Sequence, residues 1–176
     1  MTDLTIRDAV ASDIPALHAL IESAYRGEAS RAGWTTEADL LEGQRTDPED
    51  LASILADPEQ GLLTAWDDDR LVGCILIARR GVGVGYFGML SVRPTLQNAG
   101  VGRRLVQIAE RTMADRFGAR RVRISVIPQR RTLIGWYERL GYLATGETLP
   151  FPYGDERFGR PLRNDLSFVV MEKSLD

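Results

Sequence analysis

The sequence predicts an α/β domain: a mixed, mostly antiparallel central sheet flanked by helices, with one strand–helix unit at its middle. Three observations predict it. Runs with strand and helix periodicity alternate in the order strand, two or three helices, three strands, helix, strand, helix, two strands. Two apolar runs in GLLTAWDDDRLVGCILIARR flank Asp67-Asp68-Asp69, a turn-forming cluster that reads as a hairpin. In LSVRPTLQNAGVGRRL a strand-like run reaches glycines just where a helical run begins. With 176 residues, 44% of them hydrophobic, the chain is the size of one domain with a substantial core, 1–176.

In chain order, LTIRDAV alternates as the first strand. Ser12 or Asp13 can cap a helix that carries Ile14, Leu17, Leu20, Ile21 and Ala24 on overlapping faces and stops at Gly27. A polar segment follows, with a short second helix expected to begin near Thr35 or Thr36, whose hydroxyls can accept from free backbone N–H groups. Pro48 opens a third helix, PEDLASILA, at a favoured first-turn position. After the hairpin, VGYFGMLSVRP is a strand ended by Pro94. Apolar residues at Val101, Leu105, Ile108, Ala109, Met113 and Phe117 then keep helical spacing up to Gly118. RRVRISVI is a β-branched strand, TLIGWYERL a helix closed by Gly141, and strands around Tyr142–Thr145 and over SFVVMEK complete the chain.

Composition narrows the chemistry. Cys74, the single cysteine, lies in the apolar run LVGCILIA, where a thiol behaves as a small hydrophobe. His18, the single histidine, has no partner histidine for a metal and makes a Ser-His-Asp triad improbable, so no metal is expected. No run approaches the length of a membrane span, and the start lacks a signal-peptide pattern, so a cytoplasmic protein without membrane association is the expectation. Residues 1–89 carry a net charge of −9 and residues 90–176 one of +6. The acidic first half lacks the continuous basic face that nucleic acid requires.

The junction QNAGVGRR carries the most specific signal. The first N–H groups of a helix lack intrahelical acceptors and bear partial positive charge, and glycines at the entrance let a phosphate approach them. Two other patterns are decoys. Gly83-Val84-Gly85-Tyr86-Phe87-Gly88 matches GxGxxG but precedes a strand instead of opening a helix. A Walker loop needs a lysine that the chain, with Lys173 alone, does not place there.

Here the chain resembles the GNAT superfamily of acetyl-CoA-dependent N-acetyltransferases. Gln97 to Gly102 follows the family's pyrophosphate-loop pattern Gln/Arg-x-x-Gly-x-Gly/Ala, MLSVRP resembles the strand leading into it, and IGWYERLGY resembles the later helix ending in Tyr-x-x-x-Gly-Phe/Tyr. The likeness is clearest over residues 60–145. It implies a GNAT-like fold, acetyl-CoA as co-substrate, acceptor-side helices about 13–57 and a C-terminal loop and strand over 146–176. It further implies that backbone N–H groups around Gln97, Asn98, Ala99, Gly100, Val101, Gly102 and Arg103 hold the pyrophosphate. Leu90 and Val92 would lie on the strand that pairs with the pantetheine arm. Arg130 stands where many relatives have an asparagine, and could meet a CoA phosphate instead. Tyr137 would be the general acid for the departing thiolate.

The general base stays open. Phe87-Gly88-Met89 offers no carboxylate where some relatives have a glutamate, leaving Glu28, Glu37 or Asp155, or an amine that needs no base. The segments AYRGEASRAGWTTEADL and LPFPYGDERFGRPLRND combine aromatics, glycines and charges as functional loops do. Trp34, Phe151, Tyr153 and Phe158 could wall an acceptor pocket. Glu28, Glu37, Asp155 and Glu156 could attract an ammonium group, while Arg31, Arg157 and Arg160 suit a carboxylate. The expected partner is a small-molecule amine such as an amino acid derivative, with a homodimer open through the strand SFVVMEK. The competing expectation is a non-catalytic acyl-CoA-binding sensor or interaction module.

Overall fold

In the computed structural model, which describes residues 3–176 apart from the side chain of Phe158, seven strands form one sheet. The chain runs β1 (Thr5–Asp8), α1 (Ile14–Tyr25), α2 (Gly27–Ser30), β2 (Leu41–Glu42), α3 (Pro48–Ala56), β3 (Gln60–Asp67), β4 (Arg70–Arg79) and β5 (Val84–Val92). It continues through α4 (Val101–Phe117), β6 (Arg121–Val126), α5 (Arg131–Arg139), β7 (Leu143–Pro150), β8 (Arg160–Pro161) and β9 (Ser167–Ser174). The large sheet has the order β1-β3-β4-β5-β6-β9-β7, and β2 pairs with β8 separately.

Local chemistry accounts for most boundaries. Asp47 caps α3 by accepting from the Asp50 N–H at 2.7 Å, with Pro48 in the first turn. Gly118, at φ +65°, closes α4 in the left-handed conformation that glycine adopts without a Cβ penalty. Two expectations are corrected. The short second helix begins at Gly27, not at Thr35 or Thr36, because the Thr36 hydroxyl serves a turn to the Ala38 N–H and meets Ser30. SFVVMEK, as β9, lies between β6 and β7 and so has no free edge for a neighbour.

The pairing of β5 and β6 positions the site. These two strands are parallel and pair only over Val84–Tyr86 and Arg121–Arg123, after which they part. Beyond that point β5 is irregular. Met89 has φ +49° and the register to β4 shifts between Cys74 and Leu76, so side-chain alternation breaks. Phe87, Leu90 and Val92 pack into the core shared with α4 and α5, while Met89 turns to the opposite core under α1 and α3. Ligands in α/β sheets bind at the carboxyl ends of strands that separate in this way.

Candidate active site

A cavity of about 860 Å³ opens where β5 and β6 separate. Gln97, Asn98, Gly100, Gly102 and Arg103 line one lip. Glu37, Arg45 and Asp155 line other parts of the wall with Tyr25, Arg130 and Tyr137, while Trp34 adjoins Gln97.

The first lip is made of backbone. Asn98 and Gly100 have φ +73° and +84°, and this double left-handed turn delivers the chain into α4. Arg104 donates its N–H to the Gly100 carbonyl at 3.1 Å, so the N–H groups of Val101, Gly102 and Arg103 precede the first intrahelical bond and have no acceptor in the helix. A Cβ on Gly102 would lie 3.6 Å from Trp136, ordinary contact, whereas Gly100 faces open space. Glycine is needed at 100 for its backbone angle, not to avoid a clash. Ala99 and Val101 do not reach the cavity: the Ala99 N–H closes a turn on the Leu96 carbonyl, and the buried Val101 side chain anchors the helix. Free N–H groups, the positive end of a 17-residue helix and the exposed Arg103 suit a pyrophosphate.

Gln97 also acts through its side chain. Its Oε1 accepts from the Trp34 N–H at 2.7 Å and the Thr35 N–H at 3.3 Å, and its Nε2 donates to the Thr35 hydroxyl at 2.8 Å and the Val92 carbonyl at 3.1 Å. Gly33 makes room, since a Cβ there would fall 2.4 Å from Gln97 Oε1. Leu90 and Val92 line the cavity, but the Leu90 carbonyl accepts the Tyr25 hydroxyl and the Val92 carbonyl accepts Gln97. Each keeps a second lone pair for a ligand.

The rest of the wall is made of side chains. Glu37, 7% exposed, pairs with Arg26 at 2.5 Å and Arg130 at 3.0 Å. Burial alone would raise its pKa, but the charges of Arg130, Arg26 and Arg45 outweigh it and hold the carboxyl below its ordinary value. Such a carboxylate, with both oxygens bonded, is a weak base, which corrects the expectation of Glu37 as proton acceptor. Arg130 is likewise turned from the expected phosphate: it donates to Glu37 and the Thr35 carbonyl and lies 5.6 Å over the Tyr25 ring.

Two further expectations fail on position. Glu28, with a side chain 91% exposed, pairs with Arg31 outside the cavity, because α2 turns it to solvent. Tyr153 does not reach the cavity: its hydroxyl donates to the Arg163 carbonyl and accepts the Leu166 N–H, fastening the late loop to itself. Asp155 does line the cavity. Arg157, bonded to it, holds its carboxyl down at about 2. Trp34 lines it too, edge-on to Trp136 at 5.8 Å.

Tyr137, 6% exposed, sits on α5 among Phe87, Trp136 and Tyr142 at ring distances of 5.8, 5.1 and 6.0 Å. Burial raises its pKa well above the ordinary tyrosine range, so the hydroxyl keeps its proton. Among the described residues that hydroxyl has no hydrogen-bond partner, and the residue faces the cavity. Cys74 is fully buried, with its thiol pushed up to about 12, and is no nucleophile. Sequence reasoning missed Tyr25, Arg26, Arg45 and Trp136 as wall residues. Tyr25 and Arg26 lie in the loop-like segment AYRGEASRAGWTTEADL and Trp136 stands beside Tyr137 in the motif IGWYERLGY, whereas Arg45 had no signal.

Comparison with known proteins agrees with the fold. Residues 16–142 match the model of the acetyltransferase (GNAT) family. No curated protein sequence matches the chain significantly. The ribosomal-protein-S18-alanine N-acetyltransferase of Escherichia coli superposes with a TM-score of 0.71 at 15% identity, covering 99% of this chain and 95% of that one. A GNAT family acetyltransferase from Elizabethkingia anophelis, solved with acetyl-CoA bound, gives 0.71 at 15% identity over 99% and 100% of the two chains. A chimera of spermidine N-acetyltransferase from Vibrio cholerae gives 0.70 at 15% identity over 98% and 96%. At these identities the likeness is one of fold.

Proposed function

We propose, from the premise that the chain belongs to the GNAT family of acetyltransferases, that it moves an acetyl group from acetyl-CoA directly to the primary amine of a small molecule held in the same cavity. Acetyl-CoA supplies the acetyl group as a thioester, which becomes an amide as the thiol leaves. The residues of this chain bind, orient and move protons around that exchange.

The free N–H groups of Gly102 and Arg103, with the Arg103 side chain, hold the pyrophosphate. Tyr137 Oη donates a proton to the departing sulfur and regains one from solvent, to which the nitrogen gives up its own proton as it becomes an amide. Its unpartnered hydroxyl in the cavity that the loop also lines is the observation that carries the reading. No carboxylate base is required. Arg26, Arg45 and Arg130 gather around Glu37, Asp50 and Asp155 being engaged by Thr46 and Arg157, and that local positive charge disfavours an ammonium ion and favours the neutral, nucleophilic amine.

Tyr137→Phe tests this. Turnover should fall by about 10²- to 10⁴-fold, the usual worth of a general acid, with acetyl-CoA affinity unchanged. Parallel loss of turnover and affinity would make Tyr137 a packing residue and remove the proposed role.

A further inference from the structure

The arginines around the acceptor end of the cavity differ in how they are used. Arg26 and Arg130 hold Glu37, Arg157 holds Asp155, Arg160 pairs with Glu42, and Arg31 pairs with Glu28 and Asp39. The three arginines whose type suggested carboxylate binding, Arg31, Arg157 and Arg160, are thus all engaged with acids of the chain itself. Arg45 is not. Its backbone N–H donates to Glu22 at 2.7 Å, which fixes the segment, and its guanidinium lies 5.4 Å over the Tyr25 ring. Among the described residues that half-buried guanidinium makes no ion pair and no hydrogen bond, yet it lines the cavity. Asp50, another carboxylate on that wall, accepts from the Thr46 hydroxyl and does not pair with it.

The field there is positive. Arg26, Arg45 and Arg130 act together on Glu37, while the other carboxylates of the cavity, Asp50 and Asp155, are engaged by Thr46 and Arg157; at Tyr25 burial raises the hydroxyl to about 12 against the opposing charges of Arg130 and Arg45. Apolar side chains, Leu41, Ile54, Leu76 and Met89, form the surrounding wall and lower the local polarity. A guanidinium held over an aromatic ring without a hydrogen-bond partner keeps its donors for a planar oxyanion, and the arrangement costs less when an anion joins it.

We propose that Arg45 binds an acidic group of the acceptor, so that the substrate is an amine that also carries a carboxylate or similar oxyacid, as an amino acid does. This rests on the acetyl-transfer reading for the identity of the ligand as acceptor, but the recognition of the acid by Arg45 does not depend on turnover. Arg45 is a specificity-determining residue and takes no part in proton transfer.

The test compares wild type, Arg45→Ala and Arg45→Lys on the standard L-amino acids, each against its own amide. The amide is the weaker base and so more readily uncharged, which biases the comparison against the proposal. Equilibrium binding in the presence of CoA and acetyl transfer are both measured, with acetyl-CoA affinity reporting that each variant is folded. At least one acid should be preferred over its amide by roughly ten- to a hundredfold in wild type, the range of a charge-assisted hydrogen bond. Arg45→Ala should abolish that preference and Arg45→Lys should retain part of it. Amides bound as well as acids, a preference that survives Arg45→Ala, or no binding of any acid would each overturn the proposal. Arg45-dependent binding of an acid without any acetylation would leave the recognition standing and remove the transfer reading instead.

Discussion

The two sides of the cavity are built by different means. The lip proposed for the cofactor uses backbone groups within the seven residues 97–103: two left-handed residues, three N–H groups without helical acceptors and a helix axis. The acceptor side uses side chains gathered from far apart. Glu37 meets Arg26 eleven residues away and Arg130 ninety-three away, and Leu41 pairs with Pro161 to join the early and late loops. A backbone site depends on φ, ψ angles and tolerates side-chain change, whereas a side-chain site depends on each charge finding its partner. Gln97 belongs to both, since its side chain ties the cofactor loop to Trp34 and Thr35.

That difference can be broken from either side. The largest effect should come from Glu37→Gln, which leaves two buried guanidinium groups without their counter-charge. A loss of about 3–5 kcal/mol is expected, a fall in Tm of roughly 10 °C for a chain of this size. Acetyl-CoA affinity of the folded protein should be unchanged. Because the folded carboxyl titrates below its unfolded value, its stabilisation is complete above the ordinary glutamate pKa and fades as pH falls through the folded one. Glu37→Gln should therefore also flatten the acid limb of the stability profile. Thermal melts from neutral to acid pH check both, and an unaltered Tm would mean the triad is not a unit.

Gly100→Val addresses the other lip. An L residue at φ +84° costs about 1–2 kcal/mol, more when β-branched. Calorimetry should show acetyl-CoA affinity reduced about tenfold, with Gly100→Asn losing least because asparagine tolerates the left-handed region. Equal affinity in both variants would place the pyrophosphate elsewhere. Gln97→Ala should act more weakly and on both sides together, raising KM for acetyl-CoA and for the acceptor by a few-fold each, at about 1 kcal/mol per lost bond. An effect on one substrate alone would show that Gln97 does not join the two lips. The smallest effect is on pH dependence. Turnover should rise with pH as the acceptor amine loses its proton, without a limb from Tyr137, whose buried hydroxyl stays protonated across the neutral range.

How much was legible follows the same division. The hairpin of β3 and β4, the capped helices α3 and α4, and the loop at 97–102 rest on signals within a few residues of one another: turn clusters, Pro48, Gly118, and paired glycines at a strand–helix junction. The two-residue strands β2 and β8 carry no periodicity and exist because their loops meet across the fold. Glu37 and Glu28 look alike in sequence, yet one is buried between two arginines and the other is exposed beside Arg31. Arg130 finds its partners Glu37 and Thr35 in a segment whose path no local pattern dictates. The engagement of Arg157 and Arg160 and the openness of Arg45 are equally products of tertiary contact.

The central claim is direct transfer between two ligands in one cavity. Mass spectrometry of the purified protein with acetyl-CoA labelled in its acetyl group, first alone and then with a pooled library of amines and amino acids, tests it most directly. A small molecule should gain one labelled acetyl group while the mass of the protein stays unchanged in both arms. Acetyl-CoA bound but never consumed would contradict the claim and make the chain a sensor of the cofactor, and a labelled protein in the first arm would contradict direct transfer.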